Sequence, residues 1–238
     1  MAGHSKWANI KHRKGRADKA KGKAFSRVTK EIISAVRAGG ADPKNNPRLR
    51  LALQKARDAN LPNDNIERNI KKATSSDQSD YISVTYEFYG HGGVGIIVEA
   101  LTDNKNRTAS DMRIATNKQG GSIATPGSVA FNFDQKGIIQ VEKEGVDEDA
   151  LFMAVTEAGA QDFESTEEGF VLVTEPINLF AVKEVIEALG YKCKEAELEM
   201  IPKTYVEVDE ETAKANFGLI DWLEDLDDVD AVYHNMQQ

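Results

Sequence analysis

A single cysteine, Cys193, in 238 residues excludes an intramolecular disulfide framework and any paired-cysteine zinc or redox site. Its surroundings read as a part-buried strand. No apolar run approaches the roughly 20 residues that a membrane helix needs. The amino terminus has no apolar core of the kind a secretory signal carries. It is rich in Lys and Gly rather than in the Arg and Ser of a mitochondrial presequence, so a reducing cytoplasm is the expected compartment. Signatures of catalysis are missing as well. The four histidines, His4, His12, His91 and His234, form no HExxH or closely spaced pair, and the chain has neither a Walker loop nor a GxSxG elbow. The sequence therefore predicts no catalytic residue, no metal ligand and no cofactor.

Charge is plentiful and unevenly placed. The whole chain carries 30 Lys+Arg and 39 Asp+Glu, a formal net charge of −9. Residues 1–76 hold 19 Lys+Arg against 6 Asp+Glu, a net of +13, whereas residues 77–238 hold 11 against 33, a net of −22. Asymmetry of this size points to a polyanionic partner for the basic part. Lys6, Lys11, Arg13, Lys14, Arg16, Lys19, Lys21, Lys23, Arg27 and Lys30 put ten cations in thirty residues against Asp18 alone. A solvated helix face ordinarily mixes signs, and this segment hardly does. Cations concentrated on an arm suit phosphate neutralisation with counterion release. Trp7, between Lys6 and Lys11, is placed to stack on an exposed base, and His12 falls in the same run. Arg48, Arg50, Lys55 and Arg57 extend the candidate nucleic-acid-binding set, with Arg68, Lys71 and Lys72 beyond them.

Periodicity predicts an α+β multidomain fold. Residues 1–23 hold too few large apolar side chains to offset their ordering entropy and read as a basic arm. Phe25, Val28, Ile32 and Val36 form one helical stripe ended by Gly39-Gly40; Asn46-Pro47 opens a second helix, and Leu61-Pro62-Asn63 leads into a third. These make a three-helix domain over 24–76, followed by a linker over 74–79. Beyond it the period becomes two. Strands are expected at Tyr81–Tyr89, Val94–Leu101, Val129–Phe133 and Tyr205–Val208, with helices over 106–118 and 209–226. Residues 137–200 read β-α-β-β-α-β, the ferredoxin-like order. That domain is expected to be inserted into a discontinuous α/β domain of 80–136 plus 201–238.

Two loops invite a ligand. Gly90-His91-Gly92-Gly93 resembles a phosphate loop, but it runs into a strand instead of a helix N-terminus, so a permissive hairpin connection is the favoured reading. Asp103-Asn104-Lys105-Asn106-Arg107 stands before a helix, where capping is commoner than metal binding. Gly90, His91, Gly92, Gly93, Asp103, Asn104 and Arg107 are nonetheless the candidates for a cleft. An enzyme or small-ligand-binding protein using such a cleft is the alternative to a nucleic-acid binder. The acidic run Asp221–Asp230 lacks the central Gly and the final Glu of a calcium loop and reads as the solvated face and end of an amphipathic helix.

Longer motifs carry a family resemblance. Met1-Ala2-Gly3-His4-Ser5-Lys6-Trp7-Ala8-Asn9-Ile10-Lys11-His12-Arg13, then Asp42-Pro43, Asn46-Pro47-Arg48-Leu49-Arg50, Asp103-Asn104-Lys105-Asn106-Arg107-Thr108, Pro126-Gly127-Ser128-Val129 and Val232-Tyr233-His234-Asn235 resemble the YebC/PmpR family along essentially the whole chain. The family pattern has Pro where this chain has His91, and the arm reads Asp18-Lys19-Ala20-Lys21, a small rearrangement of its cations. The resemblance implies a cytoplasmic protein of one helical and two α/β domains. It further implies a DNA-binding transcriptional regulator, a ribosome-associated translation factor that relieves stalling at proline-rich stretches, or both. DNA or ribosomal RNA is the expected partner, with no membrane, and a monomer is the expected state.

Overall fold

The computed structural model describes residues 21–74 and 81–237; the expected arm and linker lie largely outside them. The described chain mixes seven α-helices with two four-stranded antiparallel sheets. It divides into two compact units, one of residues 21–130 with 205–237 and the other Phe131–Thr204.

The larger unit opens with a helical bundle, α1 (Lys21–Gly39), α2 (Pro47–Asp58) and α3 (Asn63–Thr74). Its core is the predicted stripe: Val28, Ile32 and Val36 of α1 pack with Leu49, Ala52 and Ala56 of α2 and Ile66 and Ala73 of α3. Asn46 fixes the α1–α2 corner. Its side-chain oxygen accepts from the Leu49 N–H at 3.0 Å, and its Nδ2 donates to the carbonyls of Ala35 at 2.7 Å and Gly40 at 2.8 Å. One buried amide thus caps the end of one helix and the start of the next. Gly40, at φ +84°, makes the left-handed turn out of α1.

The same unit continues with β1 (Ile82–Tyr89), β2 (Gly95–Thr102), α4 (Lys105–Gln119) and β3 (Ser122–Ile123), and it closes with α7 (Glu210–Glu224) and β8 (Val229–His234). The first sheet runs β3-β1-β2-β8. Phe88, Ile96, Val98 and Val232 from the sheet pack with Met112 and Ala115 of α4 and Leu219, Ile220 and Leu223 of α7. Burying a side chain of this size contributes about 1.5–3 kcal/mol each.

Two expected strands are not there. Residues around Val129 form a turn and a short 3-10 helix over Ala130–Asn132, and a two-residue strand, β3, forms earlier. The cause is Glu87, whose buried carboxylate accepts the N–H groups of Gly127 at 2.5 Å and of Val129 and Ala130 at 2.7 Å. Donors gathered on one carboxylate cannot also feed a ladder. Burial would raise the Glu87 carboxyl, but these three donors outweigh it and hold it below the ordinary range. Tyr205–Val208 makes only a single bridge, Val206 with Met236.

The smaller unit contains β4 (Phe133–Glu142), α5 (Glu148–Glu157), β5 (Ala160–Ser165), β6 (Gly169–Thr174), α6 (Leu179–Ala188) and β7 (Cys193–Pro202). Its sheet runs β5-β6-β4-β7 with every pairing antiparallel. A Cβ on Gly137 would stand 2.3 Å from Thr174 Oγ1 and 3.0 Å from Leu179 Cδ1, so only glycine lets α6 lie on β4 here.

Candidate nucleic-acid interface

Lys6, Trp7, Lys11, His12, Arg13, Lys14, Arg16 and Lys19 lie outside the described residues, and Lys21 and Lys23 fall in the first turn of α1. The remaining cations of the bundle separate into two groups. Arg48 and Arg57 are exposed, as are Arg68, Lys71 and Lys72 on α3. Arg48 reaches no further than a long 3.4 Å contact with Ser83 Oγ, and Arg50 is half-buried. The other group turns inward. Arg27 donates to the Glu224 carbonyl at 2.8 Å, Lys30 to the Asp227 carbonyl at 2.9 Å, and Lys55 pairs with Glu31 at 3.1 Å. Arg27 and Lys30 therefore dock α1 onto the turn between α7 and β8.

The centre of that docking is a residue the sequence does not single out. Asp228 stands in the acidic run expected to be solvated, yet it is buried. Its Oδ1 accepts from Lys30 Nζ at 3.0 Å. Its Oδ2 accepts from Arg107 Nη2 at 2.7 Å, Thr108 Oγ1 at 2.9 Å and Thr102 Oγ1 at 3.0 Å. Burial opposes its ionisation, but Arg107, Lys30 and the two hydroxyls outweigh that and hold the carboxyl below its ordinary value. Arg107 also binds Asp103 at 2.8 Å, and the two carboxylates keep its guanidinium more firmly charged than usual. Asn104 caps α4 by accepting from the N–H groups of Asn106 and Arg107, both at 3.1 Å. The Asp103–Thr108 motif is thus a joint between β2, α4, β8 and α1. Its partners lie up to 198 residues apart along the chain, which is why no local pattern reveals Asp228.

Two residues further on, Asp230 behaves differently. Burial first, and then the charge of Glu31, push its carboxyl up to about 7, against the pull of Lys55, Arg27 and Lys30. Cys193 is half-buried as expected, and burial with a contribution from Glu187 raises its thiol to about 11, which keeps it protonated.

The candidate cleft residues do not converge. Gly90–Gly93 precedes β2 and Asp103–Arg107 follows it, so the eight-residue strand holds them roughly 25 Å apart. The glycine loop is itself closed by protein groups. Asn216, fully buried on α7, accepts from the His91 N–H at 2.8 Å and donates to the His91 carbonyl at 3.0 Å. A Cβ on Gly90 would lie 2.3 Å from the Asn216 oxygen. The His91 ring sits 2.9 Å from the Gln119 carbonyl at the end of α4. Asn216 is the second functional-looking residue that sequence reading missed; an Asn on the apolar face of an amphipathic helix is the signal that could have found it. Among the described residues, no three His, Cys, Asp or Glu side chains are grouped to hold a metal ion.

Comparison with known proteins gives a consistent picture. Residues 5–76 match the family model described as the TACO1/YebC protein N-terminal domain, and residues 81–236 match that of the TACO1/YebC second and third domain. A Protochlamydia amoebophila protein named "Probable transcriptional regulatory protein" is 68% identical over 100% of this chain and 97% of its own length. A Chlamydia trachomatis protein of the same description is 60% identical over 99% of this chain and 100% of its own. The crystal structure of a conserved hypothetical protein from Aquifex aeolicus superposes with a TM-score of 0.83 at 41% identity, covering 92% of this chain and 90% of that one.

Proposed function

Because the chain belongs to the TACO1/YebC family, we propose that it regulates gene expression by gripping nucleic-acid phosphates with its basic arm and the outer face of its helical bundle, and that its target is RNA at the ribosome. The observation that carries this reading is the segregation of charge, +13 over residues 1–76 against −22 over the rest. Cations of one sign gain affinity by releasing counterions from a polyanion, while the acidic remainder discourages indiscriminate adhesion. The exposed bundle cations, Arg48, Arg57, Arg68, Lys71 and Lys72, are the described part of the surface. Arg27, Lys30 and Lys55 serve it indirectly by docking and bracing α1.

RNA is favoured over operator DNA by the state of the bundle. Helix-turn-helix readers of DNA work as dimers on paired half-sites. From Val28 to Ile70, the large apolar side chains of α1–α3 are at least partly buried, and none of these is left exposed for a dimer seam. The translation role that the family resemblance implies, helping proline-rich stretches through peptide-bond formation, accords with this choice. The name carried by the chlamydial relatives favours the second reading, a DNA-binding transcriptional regulator. A binding protein is preferred to an enzyme because the two glycine- and amide-rich loops stand at opposite ends of β2. We also read 137–200 as a ferredoxin-like insertion within 80–136 plus 201–238, a reading supported by the β5-β6-β4-β7 order.

Crosslinking in cells followed by sequencing tests the target. Ribosomal RNA recovered above background is the expected result, and promoter DNA recovered in its place would overturn the RNA reading. In vitro, removing residues 1–20 should weaken single-stranded RNA binding by about 100-fold or more at low salt.

A further inference from the structure

We infer that the exposed face of α4 is a second contact for the sugar-phosphate backbone, on a part of the molecule that composition alone marks as repelling it. The inference rests on the nucleic-acid reading above and extends it to a surface outside the basic half.

Residues 77–238 contain 11 Lys+Arg, and four of these, Lys105, Arg107, Arg113 and Lys118, fall within the fifteen residues of α4, beside one acid, Asp111. Thr108, Met112 and Ala115 form the buried side of the helix. On the other side Asn106, Ser110, Arg113 and Asn117 recur at intervals of four, three and four, and all are exposed. This makes one stripe about 16 Å long at 1.5 Å per residue, with exposed Lys105 and Lys118 flanking its ends.

Ion pairing does not account for three of these cations. Arg107 is engaged by Asp228 and Asp103, but Lys105, Arg113 and Lys118 have no ion pair among the described residues. Lys105 occupies the first turn, where the helix dipole disfavours a positive charge. Three unpaired cations in a region of net −22, spaced by two amides and a hydroxyl, form a donor-rich strip. Such groups bind phosphate and sugar oxygens without reading sequence.

The position of α4 supplies the second argument. Lys30 of α1 and Arg107 of α4 are bound to the two oxygens of one carboxylate, Asp228. The start of α4 therefore stands beside the helix that carries the basic arm, and a strand held there can continue along the stripe.

The test uses the full chain and a mixed-sequence single-stranded oligonucleotide, as RNA in one arm and DNA in the other. Changing Lys105→Gln, Arg113→Gln and Lys118→Gln together should weaken binding by at least about tenfold. The slope of log affinity against log salt should fall by about 2, at roughly 0.7 per lost phosphate contact. The same change at Lys192, Lys194 and Lys203 of the other unit should alter neither. Asp111→Asn, which cannot act by damaging a cation, should tighten binding several-fold. A triple variant that melts like the native chain and retains its affinity and slope overturns the inference while leaving the arm and bundle in place. A native chain that binds neither oligonucleotide overturns the nucleic-acid reading and this one with it.

Discussion

The two ends of β2 each carry a loop that invites a ligand in the sequence, and they are held by opposite means. Before the strand, the Gly90–Gly93 loop is closed by a neutral group, the Asn216 amide on the His91 backbone. After the strand, charge does the work, with Lys30 and Arg107 converging on Asp228. Neutral clamps are short-ranged and indifferent to pH and salt. A buried carboxylate with several donors draws distant elements together, but every partner then depends on it. The first end fastens a loop; the second fastens the bundle to the sheet.

That contrast can be broken most severely at Asp228. Asp228→Ala leaves Lys30, Arg107, Thr102 and Thr108 without their common acceptor, and urea unfolding should show a loss of about 3–5 kcal/mol. A loss under about 1 kcal/mol would mean that the joint is held by packing alone. Asn216→Ala should cost less, about 1–3 kcal/mol, since two buried backbone groups of His91 lose their partners. Its effect should be the same at low and high salt, and a strong salt dependence would contradict the neutral-clamp description.

The smallest expected effect distinguishes the two acids of the charged end. Asp228 has a lowered carboxyl, so its contribution is fully present above pH 4 and is lost as the pH falls through its native value. Asp230, raised to about 7, acts in the opposite sense. The native chain keeps a proton that the unfolded chain has released, so stability declines from about pH 4 to pH 7 and levels off above. Asp230→Asn should therefore stabilise the protein by about 1–2 kcal/mol at pH 8 and by nearly nothing at pH 4. Equal stabilisation at both values would remove Asp230 from the account.

What was legible in the sequence is what is encoded locally. Asn46, Asn104, Asp147 and Asp209 each cap the helix that follows, and each can be read from a window of a few residues. The strands of the smaller unit and the stripe of α1 follow from period alone. The misreadings have a common cause, a partner far along the chain. Val129–Phe133 has the alternation of a strand, but Glu87, 42 residues before Val129, takes its N–H groups. Asp228 looks solvated because its neighbours Asp225 and Asp227 are acidic, while its four partners lie at positions 30, 102, 107 and 108. Arg27 and Lys30 belong by composition to the cationic run, yet they are spent within the fold. Counting charges located the basic half, but it could not tell which cations face outward.

The Asn46 amide has a bearing on how the bundle opens. Because one side chain closes α1 at Ala35 and Gly40 and opens α2 at Leu49, neither helix end can fray without releasing the other. The corner should therefore exchange its amide hydrogens as one unit, with the Leu49 N–H and the end of α1 exposed to solvent in the same event. Whatever surface the bundle presents to a partner would then be presented whole, with α1 and α2 tied at the Asn46 corner.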